Sequence, residues 1–285
     1  MKTVKIISDS TCDLSKELLE RYDISILPQH IVLGDKEYTD GIDITPDEIY
    51  QWSDEHKTTP KTSAPVMAEA MELMRPYIDA GQELVCFCIS ETMSSSGQAM
   101  RMAAQELEAE DKVTVIDSKN LSTGVGHLVI EAAILAGEGK NAAQITEEIE
   151  KLKPRVRASF VTDTLVYLSR GGRCSAAAAI AGSVLKLHPK IVVKDGVMDA
   201  SKKYRGKMSS VIMSYVKDME EELKKAKPDR VFITHSGCDP KIIENVQNYL
   251  ESLHIFREVL TTRAGCVVSS HCGPGTLGVL YILEE

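Results

Sequence analysis

The sequence predicts an α/β protein in two domains: a parallel-sheet, Rossmann-like N-terminal domain over residues 1–154 and a C-terminal α+β domain over 155–285. Three observations carry this prediction. Short apolar runs alternate with helical patterns through residue 152, the rhythm of a parallel sheet. Several of those runs stop abruptly in acidic or hydroxyl residues that open the next helix. Beyond Lys153-Pro154-Arg155 an Asp-Gly hairpin appears among crossover connections, which marks a mixed sheet.

In the first domain, Val4 to Ile7 reads as a strand and Ser15 to Tyr22 as a helix, with Asp13 as its expected cap. In the other reading of this motif, Asp9 and Ser10 line a crevice shared with Ser94. Ile24 to Val32 reads as one strand, placed at an edge or bulge by Pro28. Thr45-Pro46-Asp47-Glu48 opens a helix with a cap, a Pro and two acids. Lys57 to Pro65 reads as a loop, with Ser63 capping a helix through Met67, Ala70, Met71, Met74 and Ile78. Thr62 is then expected just outside that helix N-terminus. Leu84 to Ile89 is a buried strand that ends in Ser90-Glu91-Thr92-Met93-Ser94-Ser95-Ser96-Gly97, where a helix through Met100, Ala103 and Leu107 begins. Val113 to Ile116 is a further strand. Helices over Ser122 to Ala136 and Asn141 to Leu152 follow, and Gly124 and Gly126 in the first imply close packing.

In the second domain the pattern predicts a strand over Val156 to Val161 and a short helix, Thr164 to Arg170, stopped by Gly171-Gly172. A helix from Ser175 to Leu187 follows, in which the run Ala176 to Ala181 packs tightly. Lys190 to Val193 and Val197 to Ala200 form the hairpin around Asp195-Gly196. Lys202, Lys203, Arg205 and Lys207 make a basic cluster before a long helix over Ser209 to Ala226. Val231 to Thr234, Pro240 to Leu253 and Glu258 to Thr262 read as strand, helix and strand. Ser269 to Gly275 reads as a tight loop before a last strand, Leu277 to Leu283.

Composition excludes several classes. A net charge of −9 and 5% aromatic residues argue against a nucleic-acid groove. No run reaches the ~18 apolar residues of a membrane span. The N-terminus enters a strand without the apolar segment of a signal peptide, and seven Cys without framework spacing point to a reducing cytoplasm.

The turn after Ile89 is the strongest chemical signal. Ligands of open parallel sheets sit beyond the carboxyl ends of the strands, and a helix N-terminus there offers unpaired amides. The turn itself holds no Lys or Arg, so the expected anion is small and weakly charged. Ser94 and Thr62 with helix-end amides suit a carboxylate, although both residues could be no more than helix caps.

Competing chemistries fit less well. A phosphate loop and a dinucleotide fingerprint are absent, since Gly124 and Gly126 lie within a helix. Metal is not expected: Cys86 and Cys88 lack a second pair, and His235 with Cys238, near His271 and Cys272, reads better as a polar strand end. An acyl hydrolase using Ser94 and His271, oriented by Asp9 or Asp117, is the alternative enzymatic reading, but it lacks a Gly-x-Ser-x-Gly elbow. A structural or regulatory module without a ligand is a third reading.

Over nearly its whole length the chain resembles the DegV family. The motifs that carry the resemblance are Asp9-Ser10-Thr11-Cys12-Asp13, Tyr38-Thr39-Asp40-Gly41 and Thr62-Ser63-Ala64-Pro65. They continue with Ile89-Ser90 through Ser94, Tyr167 to Arg173, Tyr204-Arg205-Gly206 and His271 to Gly275. Their order and spacing are specific as a set. The resemblance implies a bacterial, cytoplasmic fatty-acid-binding protein with two α/β domains and a tunnel for the acyl chain. It implies the lipid-carrying subunit of a two-component fatty acid kinase in phospholipid metabolism. The catalytic subunit is the partner that supplies ATP and converts the presented carboxylate to acyl phosphate. No cofactor beyond the bound long-chain fatty acid is implied, and no catalytic residue. By motif position Thr62, Ser94, Arg173 and His271 would hold the carboxylate, and Arg205 would dock the kinase. The chain departs from the family's habit at Ser95-Ser96, where Gly-Thr is usual, and at Ala176, where a polar or basic residue is usual. Burying about 16 carbons at ~0.8 kcal/mol per methylene gives ~12 kcal/mol of gross driving force, part of which is lost in ordering the chain. The tail would therefore set the affinity and the hydroxyls the orientation. Eleven Met residues could give such a tunnel an adaptable wall, though Met71 and Met74 sit at helical core spacing.

Overall fold

The computed structural model describes residues 3–175 and 187–285. It confirms a mixed α/β architecture with a parallel four-stranded sheet and a separate mixed sheet. The parallel sheet comprises β1 (Val4–Asp9), β2 (Ile24–Leu27), β6 (Glu83–Cys88) and β7 (Val113–Asp117), in the order β2-β1-β6-β7. β3 (His30–Leu33) lies between β4 (Lys36–Thr39) and β5 (Lys61–Ser63) in a small antiparallel sheet. The six-stranded sheet comprises β8 (Val156–Val161), β9 (Leu187–Lys194), β10 (Val197–Arg205), β11 (Arg230–His235), β12 (Glu258–Arg263) and β13 (Leu277–Ile282). Its order is β10-β9-β8-β13-β11-β12, antiparallel except between β11 and β12.

The helices of the first half are α1 (Lys16–Tyr22), α2 (Pro46–His56), α3 (Met67–Asp79), α4 (Ser96–Glu106), α5 (Thr123–Gly137) and α6 (Ala142–Leu152). Those described in the second half are α7 (Val166–Gly171), α8 (Met208–Lys217), α9 (Glu220–Leu223), α10 (Pro240–Ser252) and α11 (Cys266–Cys272).

Helix α5 explains how the halves meet. It is apolar on nearly every face, and such a helix is stable only when surrounded. Val125, Leu128 and Val129 share one core with Val4, Ile6 and Val85 of the parallel sheet and Ala158, Phe232 and Leu280 of the mixed sheet. Close approach is built in: a Cβ on Gly126 would lie 2.8 Å from Leu14 Cδ2 and 2.9 Å from the Cys12 carbonyl. Near its middle Glu131 accepts from Arg230 at 2.5 Å and from Lys227 at 2.7 Å, an ionic tie to the second half.

Several elements differ from the sequence expectation. Ile24 to Val32 is two strands in two sheets, divided at Pro28, which cannot donate a ladder hydrogen bond. Ser15 caps α1, its hydroxyl accepting from the Leu18 amide, so Asp13 is free for another role. The expected helix over Ser209 to Ala226 breaks after Lys217, where the Asp218 carboxylate turns to Tyr204 and Lys202. The helix expected over Ser175 to Leu187, with its run Ala176 to Ala181, lies outside the described residues except at its ends, and Leu187 begins β9. No described helix is long and apolar enough to cross a membrane.

Candidate functional site

A cavity of about 250 Å³ opens between the halves. Its apolar wall includes Ile89, Met93, Leu121, Met198, Val268 and Cys272, and its polar residues include Gln29, Thr62, Ser94, Arg173 and His271. Four of these five are the residues expected from sequence to hold a carboxylate, and they arrive from four separate elements.

Ser94 follows β6 as expected. The turn closes through a hydrogen bond from the Met93 amide to the Ser90 carbonyl at 2.8 Å. Ser94 Oγ accepts from the Ser96 amide at the head of α4 at 3.3 Å and donates to Gln29 Oε1 at 3.4 Å. Thr62 is placed differently from expectation. It sits in β5, paired with Ile31 of β3, and Ser63 does not cap α3. That helix starts at Met67 after Val66, whose amide donates to Glu69. What positions the Thr62 hydroxyl is therefore a strand ladder, which holds it more rigidly than a loop.

His271 also departs from expectation. The segment read as a tight loop is largely helix α11, and His271 lies in its last turn. Its Nε2 is 2.9 Å from Thr62 Oγ1. Burial, aided by the Arg173 charge, pushes the imidazole down to about 4, so it is neutral at pH 7. Nδ1 is buried with no hydrogen-bond partner and faces Gly171, where a Cβ would lie 2.3 Å away. A proton on Nε2 leaves the bare lone pair, rather than an orphaned N–H, at Nδ1. His271 then donates to Thr62, and the threonine hydroxyl is left to donate into the cavity.

Arg173 follows α7, which Gly172 terminates at φ +70°. Its Nη1 donates to the Gly171 carbonyl at 2.7 Å and its Nε to the Met93 carbonyl at 3.3 Å. Among the described residues it is in no ion pair. The Ser90–Ser96 turn lacks a cation of its own, and the second half supplies one.

Gln29 is the residue that sequence reading missed. It is 2% exposed, lines the cavity, and links Ser94 to Asp9, to whose carboxylate its Nε2 donates at 3.2 Å. Asp9 also accepts from Ser96 Oγ at 2.6 Å, Thr11 Oγ1 at 2.5 Å and the Ile89 amide at 3.0 Å. Asp9 and Ser10 thus stand behind the cavity wall rather than in it.

This arrangement lacks a serine hydrolase triad. His271 meets Thr62, and among the described residues no carboxylate bonds its ring. Asp9 is occupied as above, and Asp117 accepts from the Glu91 and Lys119 amides. No group of His, Cys, Asp and Glu among the described residues could hold a metal ion. His235 accepts from the Gly237 and Cys238 amides, a polar strand end as expected.

Arg205 is not part of the cavity. It ends edge strand β10, exposed to solvent. The opposite end of the same hairpin touches the Ser90–Ser96 turn, the hydroxyl cradle of the cavity: the Gly196 carbonyl accepts from Ser90 Oγ at 2.7 Å and Thr92 Oγ1 at 2.5 Å.

The chain matches the model of the DegV family, described as uncharacterised proteins, over residues 3–284. A DegV domain-containing protein of Clostridium perfringens is 32% identical over the whole of both chains. A DegV family protein from Thermus thermophilus, described by its fatty acid binding, superposes with a TM-score of 0.90 at 30% identity, covering 98% of this chain and 99% of that one. A stearic-acid-binding protein from Eubacterium ventriosum superposes with a TM-score of 0.85 at 29% identity, covering 99% and 98%.

Proposed function

The chain belongs to the DegV family, and from that premise we propose that it binds a long-chain fatty acid with the carboxylate at Thr62, Ser94, Arg173 and His271. The acyl chain runs along the apolar wall of Ile89, Met93, Leu121, Met198 and Val268. One observation carries this reading: two hydroxyls, a neutral imidazole and a guanidinium that is in no ion pair among the described residues line one cavity whose other walls are largely apolar, with the imidazole against one of the hydroxyls. Hydroxyl donors and one cation suit a monoanion, and burial of the chain supplies the driving force.

In this reading the protein does no chemistry alone. It is the cytoplasmic lipid-carrying subunit of a two-component fatty acid kinase. The halves 1–154 and 155–285 act as domains that wall the ligand, and Arg205 docks the catalytic subunit that forms acyl phosphate. The exposure of Arg205 on an edge strand that also lines the cavity through Met198 supports that assignment.

Calorimetric titration with palmitate tests the cradle. A hydrogen bond to a charged group contributes about 1.5–3 kcal/mol. Thr62→Ala and Ser94→Ala should therefore each weaken binding roughly ten- to hundredfold at unchanged Tm. Undiminished affinity in both variants would refute the assignment.

A further inference from the structure

Two sequence motifs, Asp9 to Asp13 and Tyr38 to Gly41, lie outside the cavity lining, yet they bring buried carboxylates to one point, the start of α11. That helix follows Gly265, which has no side chain to cap it. Its first amides are buried at Cys266 and half-buried at Gly265, and need acceptors. Both come from the other half of the molecule. Asp13 Oδ1 accepts from the Gly265 amide at 2.8 Å, and Asp40 Oδ1 accepts from the Cys266 amide at 2.7 Å. The remaining oxygens are also satisfied, Asp13 Oδ2 by Ser122 Oγ at 2.5 Å and Asp40 Oδ2 by Ser10 Oγ at 2.8 Å. Gly265 admits this approach, since a Cβ there would lie 3.2 to 3.3 Å from oxygens of both carboxylates. Among the described residues neither carboxylate is in an ion pair.

The same framework reaches the other side of the cavity. The Asp40 amide donates to the Gln29 carbonyl at 2.9 Å, and Ser10 Oγ accepts from the Gln29 amide at 3.1 Å. Gln29 in turn holds Ser94. Asp40 is thus tied both to the helix that carries His271 and to the residue that orients Ser94.

We propose that Asp13 and Asp40 are positioning residues that cap the His271 helix across the two halves and so set the imidazole against Thr62. The proposal deepens the carboxylate reading of the cavity and rests on it for its effect on affinity. Protonation does not abolish the cap: a neutral Asp13 donates to Ser122 and still accepts from Gly265 through its carbonyl oxygen.

The test uses the full chain with histidine labelled in ¹⁵N, read without ligand and then titrated with palmitate. Asp40→Ala should weaken palmitate binding about tenfold or more and shift the His271 ring signals away from the pattern of a proton fixed on Nε2. Asp40→Asn, which keeps the acceptor, should restore both. Gly265→Ala, which crowds both carboxylates, should act like Asp40→Ala and serves if that variant does not fold. Wild-type affinity together with wild-type ring signals in the disrupted variant would overturn the proposal. If the wild-type chain binds no palmitate, the carboxylate reading fails, while the ring signals still decide whether the carboxylates position His271.

Discussion

Burial holds the His271 ring neutral, so the positive charge at the cavity is that of Arg173 instead. Burial acts in the opposite sense on the acids behind the site. It raises the carboxyls of Asp9 and Asp40, and Asp13 is pushed up to about 8, with Asp40 and Asp9 adding repulsion. The native state therefore binds a proton at Asp13 that the unfolded chain gives up near 3.8. That contribution is complete below the unfolded value and is lost as pH rises through about 8. His271 contributes oppositely, losing stability as pH falls from 6.5 toward about 4, so it leaves the slope above pH ~7 unchanged, and comparison with an Asp13 variant separates the acid from the buried thiols, which burial also pushes up. In denaturant titrations, wild-type stability should fall between about pH 7 and about pH 9, and Asp13→Asn should flatten the fall. An unchanged slope in the variant would contradict this account. At this scale Ser94 could be singled out from the residues, whereas Arg173 and His271 were assigned through their motifs. Gln29 was missed because a lone Gln after Pro28 has no periodicity, and its importance arises only from contacts distant in sequence.

The elements that were legible carry their own period or cap. β6 is a continuous apolar run, α4 has apolar residues at helical spacing, and α2 has the full Thr45–Glu48 capping box. The failures share a cause in long-range partners. β5 has three residues and exists because β3 pairs with it, so nothing local marks Thr62 as a strand position. α11 has the Ser, Gly and Pro composition of a turn at its end, but Val267 and Val268 pack inward and its cap comes from Asp13 and Asp40. Helix α7 was legible from Gly171-Gly172, but the reason for the first glycine was not: its Cα abuts the His271 ring. Gly171→Ala should displace the ring, with a stability loss of about 1–3 kcal/mol and a larger relative loss of palmitate affinity. Wild-type affinity and Tm in this variant would show that the contact does not fix the ring.

Across the whole molecule, α5 joins two sheets through one core, and the cavity is lined by residues that follow β6 of the first sheet, by β5, by Arg173, by α11 and by Met198 of β10. The α/β class and the change of pattern near Lys153 were readable from alternation, whereas the shared core was not, because a cluster that holds both Val129 and Leu280 leaves no local trace. The hairpin runs from Gly196 at the cradle to Arg205 at the surface. With a fatty acid kinase catalytic subunit and ATP, Arg205→Ala should lower acyl phosphate formation while palmitate affinity stays at the wild-type level. Unchanged turnover would remove Arg205 from the docking role. The most direct measurement is the ¹³C NMR signal of carboxyl-labelled palmitate added to the wild-type chain and to the Thr62→Ala variant. A bound, ionised carboxylate whose shift moves in the variant is the predicted result. A signal identical to free palmitate, or a bound signal indifferent to Thr62→Ala, would contradict the placement of the carboxylate between the two halves.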